Sequence, residues 1–156
     1  MKEKMIKRIW VGIVSILMKL PLTGYCRGKL VQLLGVNIKK MPKEKLHVFI
    51  GEGVKLDNLY PNLIEIGNWT TVATGCLILT HYIDTNRPAP GFIFTSGKVK
   101  IGRACFIGAN SIICNSVEIG DNSIVAAGSI VTKSIPSNQI WGGNPAKFIK
   151  ERNCNV

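Results

Sequence analysis

Two histidines, His47 and His81, are the chain's entire supply of imidazole. Two cannot build a three-histidine zinc site. No CxxC or HxxxH spacing, phosphate-cradling glycine loop or GxSxG elbow accompanies them. His81 opens the segment HYIDTNRPAPGFIFTSGK, rich in Pro, Gly and aromatic residues. A neutral imidazole, with an ordinary pKa of about 6.5, takes up a proton near neutral pH. It can therefore relieve a hydroxyl of its proton, and a well-placed base of this kind speeds a reaction by about 10²–10⁴-fold. Asp84, three residues on, is a candidate to orient the ring, a task that backbone carbonyls perform as often. His47, between Leu46 and Val48, reads as structural or exposed.

A base needs a frame, and the frame is written in sixes. Residues 101–136 divide into IGRACF, IGANSI, ICNSVE, IGDNSI, VAAGSI and VTKSIP. Six fits neither a helix nor a plain strand, but it suits short extended strips that turn a corner once per block. Small residues follow most of the leading aliphatics, as tight corners require. A second small inward position holds Cys105, Ser111, Ser123 and Ser129. If three strips close a triangular coil, residues 18 apart stack: Ile101 on Ile119, Ile107 on Val125, Ile113 on Val131. Residues 66–83 make another coil, IGNWTT, VATGCL and ILTHYI, and residues 46–65 a weaker one. The next block after 78–83 begins at 101 rather than 84, so a loop of 17 extra residues leaves the coil beside His81. Loops of this length are commonly functional or disordered. If the loop preserves the phase, Ile78 stacks on Ile113, and Asn115 and Ser116 border His81.

The hexads, the histidine ahead of a long loop in LTH, and the ending GGNPAKFIK (142–150) resemble the hexapeptide-repeat O-acetyltransferases, in the branch acting on sugars, polysaccharides and xenobiotics. The resemblance covers residues 46–150. It implies an all-β solenoid, a left-handed parallel β-helix, against the general preference for right-handed crossovers. The expected organisation is a basic amphipathic α-helical segment over 1–45, the β-helix over 46–136 with loop 82–98 extruded, and a turn and short helix over 137–156. The resemblance also implies acetyl transfer from acetyl-CoA to a sugar hydroxyl in surface or capsular polysaccharide biosynthesis, without a metal. His81 would be the general base. Alternatives are detoxification of an antibiotic or small sugar, or a scaffold without catalysis. Acetyl-CoA would lie along Phe106, Gly108, Ala109, Ala126 and Ala127, with its phosphates near Lys133, Lys147 and Lys150. The family's sites form between subunits of a homotrimer, where Tyr82, Asp84, Arg87, Phe92 and Ser116 are expected to meet the acceptor. Two departures stand out: CNS where the family often has Pro-Gly, and Phe106 where it often has Trp.

Charge is uneven. The net charge is +11, and residues 1–45 hold eleven Lys and Arg against Glu3 and Glu44. No basic face interleaved with aromatics points to nucleic acid. The apolar run from Ile9 to Met18 is too short to span a bilayer, which takes about 20 residues. Flanked by lysines, it reads either as an interfacial helix at a membrane surface or as a cap on the solenoid's open end, with Pro21 separating it from a second helix near 24–35. Five cysteines, odd in number and without close pairing, read as reduced thiols of a cytoplasmic protein.

Overall fold

A computed structural model describes residues 9, 10, 12–14, 16–84 and 93–153. Its body is a three-sided stack of very short strands. The first side carries β1 (Asn37–Lys39), β4 (Ile64–Gly67), β9 (Val99–Ile101) and β12 (Glu118–Ile119), in that order and parallel. The second carries β2 (Phe49–Ile50), β5 (Thr71–Val72), β10 (Phe106–Ile107), β13 (Ile124–Val125) and β15 (Gln139–Gly142), also parallel. The third carries β3 (Lys55–Leu56), β6 (Leu77–Ile78), β11 (Ile112–Ile113) and β14 (Ile130–Val131). The stacking read from the hexads is found: Ile101 pairs with Ile119, Ile107 with Val125, Ile113 with Val131 and Ile78 with Ile113.

Alternation explains the sides. In each two-residue strand one side chain faces in and its neighbour faces out. Val72, Ile78, Ile107, Ile113, Ile119, Val125 and Val131 are fully buried and fill the prism. The small inward residues have a second task. Ser111 donates to the Gly108 carbonyl at 2.7 Å, Ser129 to that of Ala126 at 2.6 Å, and Ser123 to that of Pro136 at 2.7 Å. Corner carbonyls turned inward thus find partners, as buried polar groups must. The Cys76 and Cys105 thiols approach the Gly108 and Gly120 carbonyls at 3.1 Å in the same manner. Burial pushes the thiols of Cys76 and Cys114 up, and that of Cys105 to about 11, so these sulfurs stay protonated and weakly nucleophilic.

Three features differ from the sequence reading. The solenoid starts inside the segment assigned to helix: β1 pairs with β4 and forms a rung before residue 46. The C-terminal helix is instead a strand, β16 (Lys147–Glu151), antiparallel to β15. Strand β15 extends the second side and leaves a row of backbone groups bare on its outer edge. A strand at 147–151 pairs that edge, whereas a helix would leave it open. Every residue of β16 is exposed, so no apolar face favoured a helix there. Finally, the extruded loop leaves as a two-stranded arm. Strands β7 (His81–Ile83) and β8 (Phe94–Ser96) pair antiparallel, His81 opposite Ser96 and Ile83 opposite Phe94.

Ahead of the stack, described residues between 9 and 17 are helical, and α1 (Gly24–Leu33) follows where a second helix is expected. The Thr23 hydroxyl accepts from the Cys26 N–H to cap α1. Val31 is buried with Val48 and Ile50 of the first coil, and Arg27 Nη1 donates to the Ile50 carbonyl at 3.3 Å. Helix α1 therefore closes the open end of the prism.

Candidate active site

His81 stands where the chain leaves the edge between the third and first sides. Thr80 is fully buried at the corner, and the arm begins at His81. One coil below, Asp57 follows β3, and its side chain is 1% exposed. Asp57 Oδ2 lies 2.5 Å from His81 Nδ1 and accepts from the Thr80 hydroxyl at 2.5 Å and the Thr80 N–H at 3.0 Å. Oδ1 accepts from the Leu59 N–H at 3.0 Å. Burial pushes the Asp57 carboxyl up, but the hydrogen bonds from Thr80, His81 and Leu59 outweigh it and hold the carboxyl below its usual value. Asp57 is therefore ionised near neutral pH. A carboxylate only accepts, so the proton of a neutral His81 must sit on Nδ1. Nε2 is left as the lone-pair nitrogen, and among the described residues it has no hydrogen-bond partner. Tyr60 and Phe94 meet the ring edge-on, with centroids 6.0 and 5.6 Å away. They fix the plane of the imidazole while its side chain remains 23% exposed. The arrangement holds the ring in one orientation at a partly open edge.

The ring is oriented neither by the candidate Asp84 nor by a backbone carbonyl but by Asp57. Asp84 lies on the arm, where its N–H donates to the Ile93 carbonyl at 2.8 Å. Asp57 stands in KLDNLYPNLIE, where the hexad register breaks. Counting back from the Leu56–Ile78 pairing would have found it. Ser116 occupies the corner one coil above, as expected, but the returning arm intervenes. Gly97 packs so closely against it that any Cβ there would overlap the Ser116 hydroxyl. Tyr82 is half exposed on β7, next to His81. Arg87 and Phe92 lie outside the described residues.

The expected coenzyme residues are spread over several parts of the prism. Ala109 and Ala127 sit one coil apart at the edge between the second and third sides, and Gly128 beside them has nothing within 4 Å of where a Cβ would project. The backbone at that edge is open to close approach by an extended chain. Phe106 is exposed on the outer row of the second side between Thr71 and Ile124. Gly108 is not groove lining. It is buried, and a Cβ would lie 2.7 Å from the Val125 carbonyl oxygen, so its small size serves the stacking of coils. Ala126 is half-buried, with its N–H on the Trp141 carbonyl. Lys147 and Lys150 are exposed on β16 rather than on a helix. Lys133 follows β14, on the edge that carries His81.

A sequence profile described as "Hexapeptide repeat of succinyl-transferase" matches residues 98–133. WcaF of Escherichia coli K12, provisionally named a colanic acid biosynthesis acetyltransferase, is 32% identical over 94 residues, 58% of this chain and 52% of WcaF. The chain spans about half the length, or less, of the curated relatives it matches. Among solved structures, the hexapeptide-repeat acetyltransferase VCA0836 from Vibrio cholerae, crystallised with acetyl-coenzyme A, has a TM-score of 0.72 and 23% identity over 97% of this chain and 90% of that one. A maltose O-acetyltransferase from Clostridium difficile 630 has a TM-score of 0.63 and 27% identity over 93% of this chain and 86% of that one. With the hexads in register and their coils stacked on three sides, the chain carries the hexapeptide repeat and has the left-handed parallel β-helix of the hexapeptide-repeat acetyltransferases it resembles.

Proposed function

We propose that the protein is an acetyl-CoA-dependent O-acetyltransferase acting on a sugar hydroxyl, within the assembly of a polysaccharide. The observation that carries this reading is the anchoring of His81: Nδ1 lies against the buried Asp57 carboxylate, and Nε2 faces a partly open edge. An acceptor hydroxyl hydrogen-bonds to Nε2. As its oxygen forms a bond to the thioester carbonyl carbon, its proton moves to Nε2. The carbon–sulfur bond then breaks, and the proton passes from Nε2 to the departing thiolate. The products are an acetyl ester and the free thiol of coenzyme A. While His81 carries the extra proton, the Asp57 carboxylate stabilises the imidazolium. The sugar class is supported by the likeness to the maltose enzyme, and the polysaccharide setting by the likeness to WcaF.

The outer rows of the prism support a trimer with shared sites. On the first side Glu65, Lys100 and Glu118 stand in line, with Lys100 paired to Glu118 at 2.5 Å. The second side presents Phe49, Thr71, Phe106 and Ile124, and the third Lys55, Leu77, Ile112 and Ile130. A charged row suits water, whereas two rows that are apolar beyond Lys55 and Thr71 suit burial against further copies. A neighbour's edge carrying Ala109 and Ala127, set against the edge carrying His81 and Lys133, would unite the coenzyme residues that one subunit holds apart.

The test is thiol release from acetyl-CoA in the presence of a panel of mono- and oligosaccharides, with mass spectrometry of the products. Acceptor-dependent release and an acetyl mass increment on one sugar class are expected. Release no faster than hydrolysis with every sugar would refute the reading.

A further inference from the structure

The helical residues at the start of the described chain carry a face that the solenoid does not use. Ile9, Ile13 and Ile16 are four and three positions apart, so they lie on one side of the helix. They are 57%, 45% and 65% exposed, and Leu20, just beyond, is 45% exposed. Val14, on another face, is 1% exposed, and the Trp10 indole donates to the Leu33 carbonyl of α1. The helix is thus anchored through one side and presents an aliphatic stripe on the other. Lys19 is exposed at its end and Lys29 on α1, in a segment (1–45) that holds eleven basic residues against two acidic ones. Among the described residues no helix is long and apolar enough to cross a membrane.

We propose that this face docks on an anionic bilayer surface, with Ile9, Ile13, Ile16 and Leu20 entering the headgroup region and the neighbouring lysines meeting lipid phosphates. An apolar stripe bordered by cations has the chemistry of an interfacial helix, and the excess positive charge selects an anionic lipid surface over a neutral partner. Docking also orients the site. A cavity of about 470 Å³ is lined by Met18, Lys19, Leu34, Val54, Leu56 and Asp57, among others. The end of the helix therefore shares a cavity wall with the carboxylate that holds His81. The docked helix keeps the His81 end of the prism at the membrane. The acceptor class that follows is a saccharide carried on a lipid, a consequence that rests on the acetyl-transfer reading above.

The test is co-sedimentation of the full chain with vesicles of phosphatidylcholine alone or mixed with phosphatidylglycerol, for the wild type and for the double variant Ile13→Glu/Ile16→Glu. The wild type should bind the anionic vesicles at least about tenfold more tightly, and less so in high salt. The variant should lose that binding while keeping its molecular mass in solution and its turnover on a soluble sugar. Equal binding to both vesicle types, no binding, or undiminished binding by the variant overturns the proposal. So does a fall in the variant's oligomeric mass, which would assign the stripe to a second copy of the chain. A wild type that binds vesicles but transfers no acetyl group would leave docking standing and remove the acetyl-transfer reading instead.

Discussion

Replacing Asp57 by Asn separates charge from geometry at His81. The carboxylate receives four hydrogen bonds, three on Oδ2 from Thr80 and His81 and one on Oδ1 from Leu59. An amide has one acceptor oxygen, and the three converging donors select the Oδ2 position for it. His81 then keeps its proton on Nδ1 and its lone pair on Nε2. Only the negative charge beside the transient imidazolium is lost. A hydrogen bond to a charged group is worth about 1.5–3 kcal/mol and a neutral one about 0.5–1.5 kcal/mol, so the difference is about 1–2 kcal/mol. That corresponds to a fall in kcat of about 5–30-fold, well short of the loss of about 10²–10⁴-fold expected when the base itself is removed. The amide nitrogen faces the Leu59 N–H, an unsatisfied contact costing about 1–3 kcal/mol of stability. Thiol release should therefore be measured well below the melting temperature, with acetyl-CoA and the acceptor saturating. The Michaelis constant for acetyl-CoA should not move. An unchanged kcat would show that the Asp57 charge has no part in turnover. A fall as deep as that of a variant without the imidazole would show that the amide had turned and reversed the tautomer.

The same carboxylate gives a pH dependence of stability. Its pKa is lowered by folding, so its contribution is complete above the unfolded value of about 3.9 and fades as pH falls towards the lower folded value. Melting temperature should drop as pH falls below about 4, and the Asp57→Asn variant should lose part of that slope; parallel curves for the two proteins would contradict the assignment. At Gly108 an Ala side chain would press on the carbonyl of Val125 in the next coil, at a cost of about 1–3 kcal/mol. Thermal melts should register that loss in Gly108→Ala with or without coenzyme, whereas a purely coenzyme-lining role would leave the free protein's melting temperature untouched.

The fold was legible because the hexads impose a repeating constraint. Once Ile101, Ile107 and Ile113 are each given a face, stacking at 18 residues follows. Reading failed where that constraint lapses. Asp57 lies at the start of an irregular excursion, 57–63, which lengthens the spacing to the next coil and hides the alignment of Asp57 with Thr80 and His81. Rung β1 stands before the first clear hexad, so nothing in its local pattern separates it from the helical segment. At β16 the decisive factor is the unpaired edge of β15, a tertiary fact absent from the local sequence KFIKE. His81 itself was visible because histidine is rare here and this one borders the break in the repeat. The corner positions of Ala109 and Ala127 follow from the hexads, while Gly108, equally small, serves the packing of the coils.

In the proposed reaction His81 is the base that takes the acceptor's proton. The most direct test of this role is the turnover of His81→Ala against the wild type, by thiol release with a responsive sugar and saturating acetyl-CoA. The variant should retain its melting temperature within a few degrees and its oligomeric mass, and lose about 10²–10⁴-fold in kcat. Turnover within about threefold of the wild type, from a folded variant, would place the proton transfer on another residue.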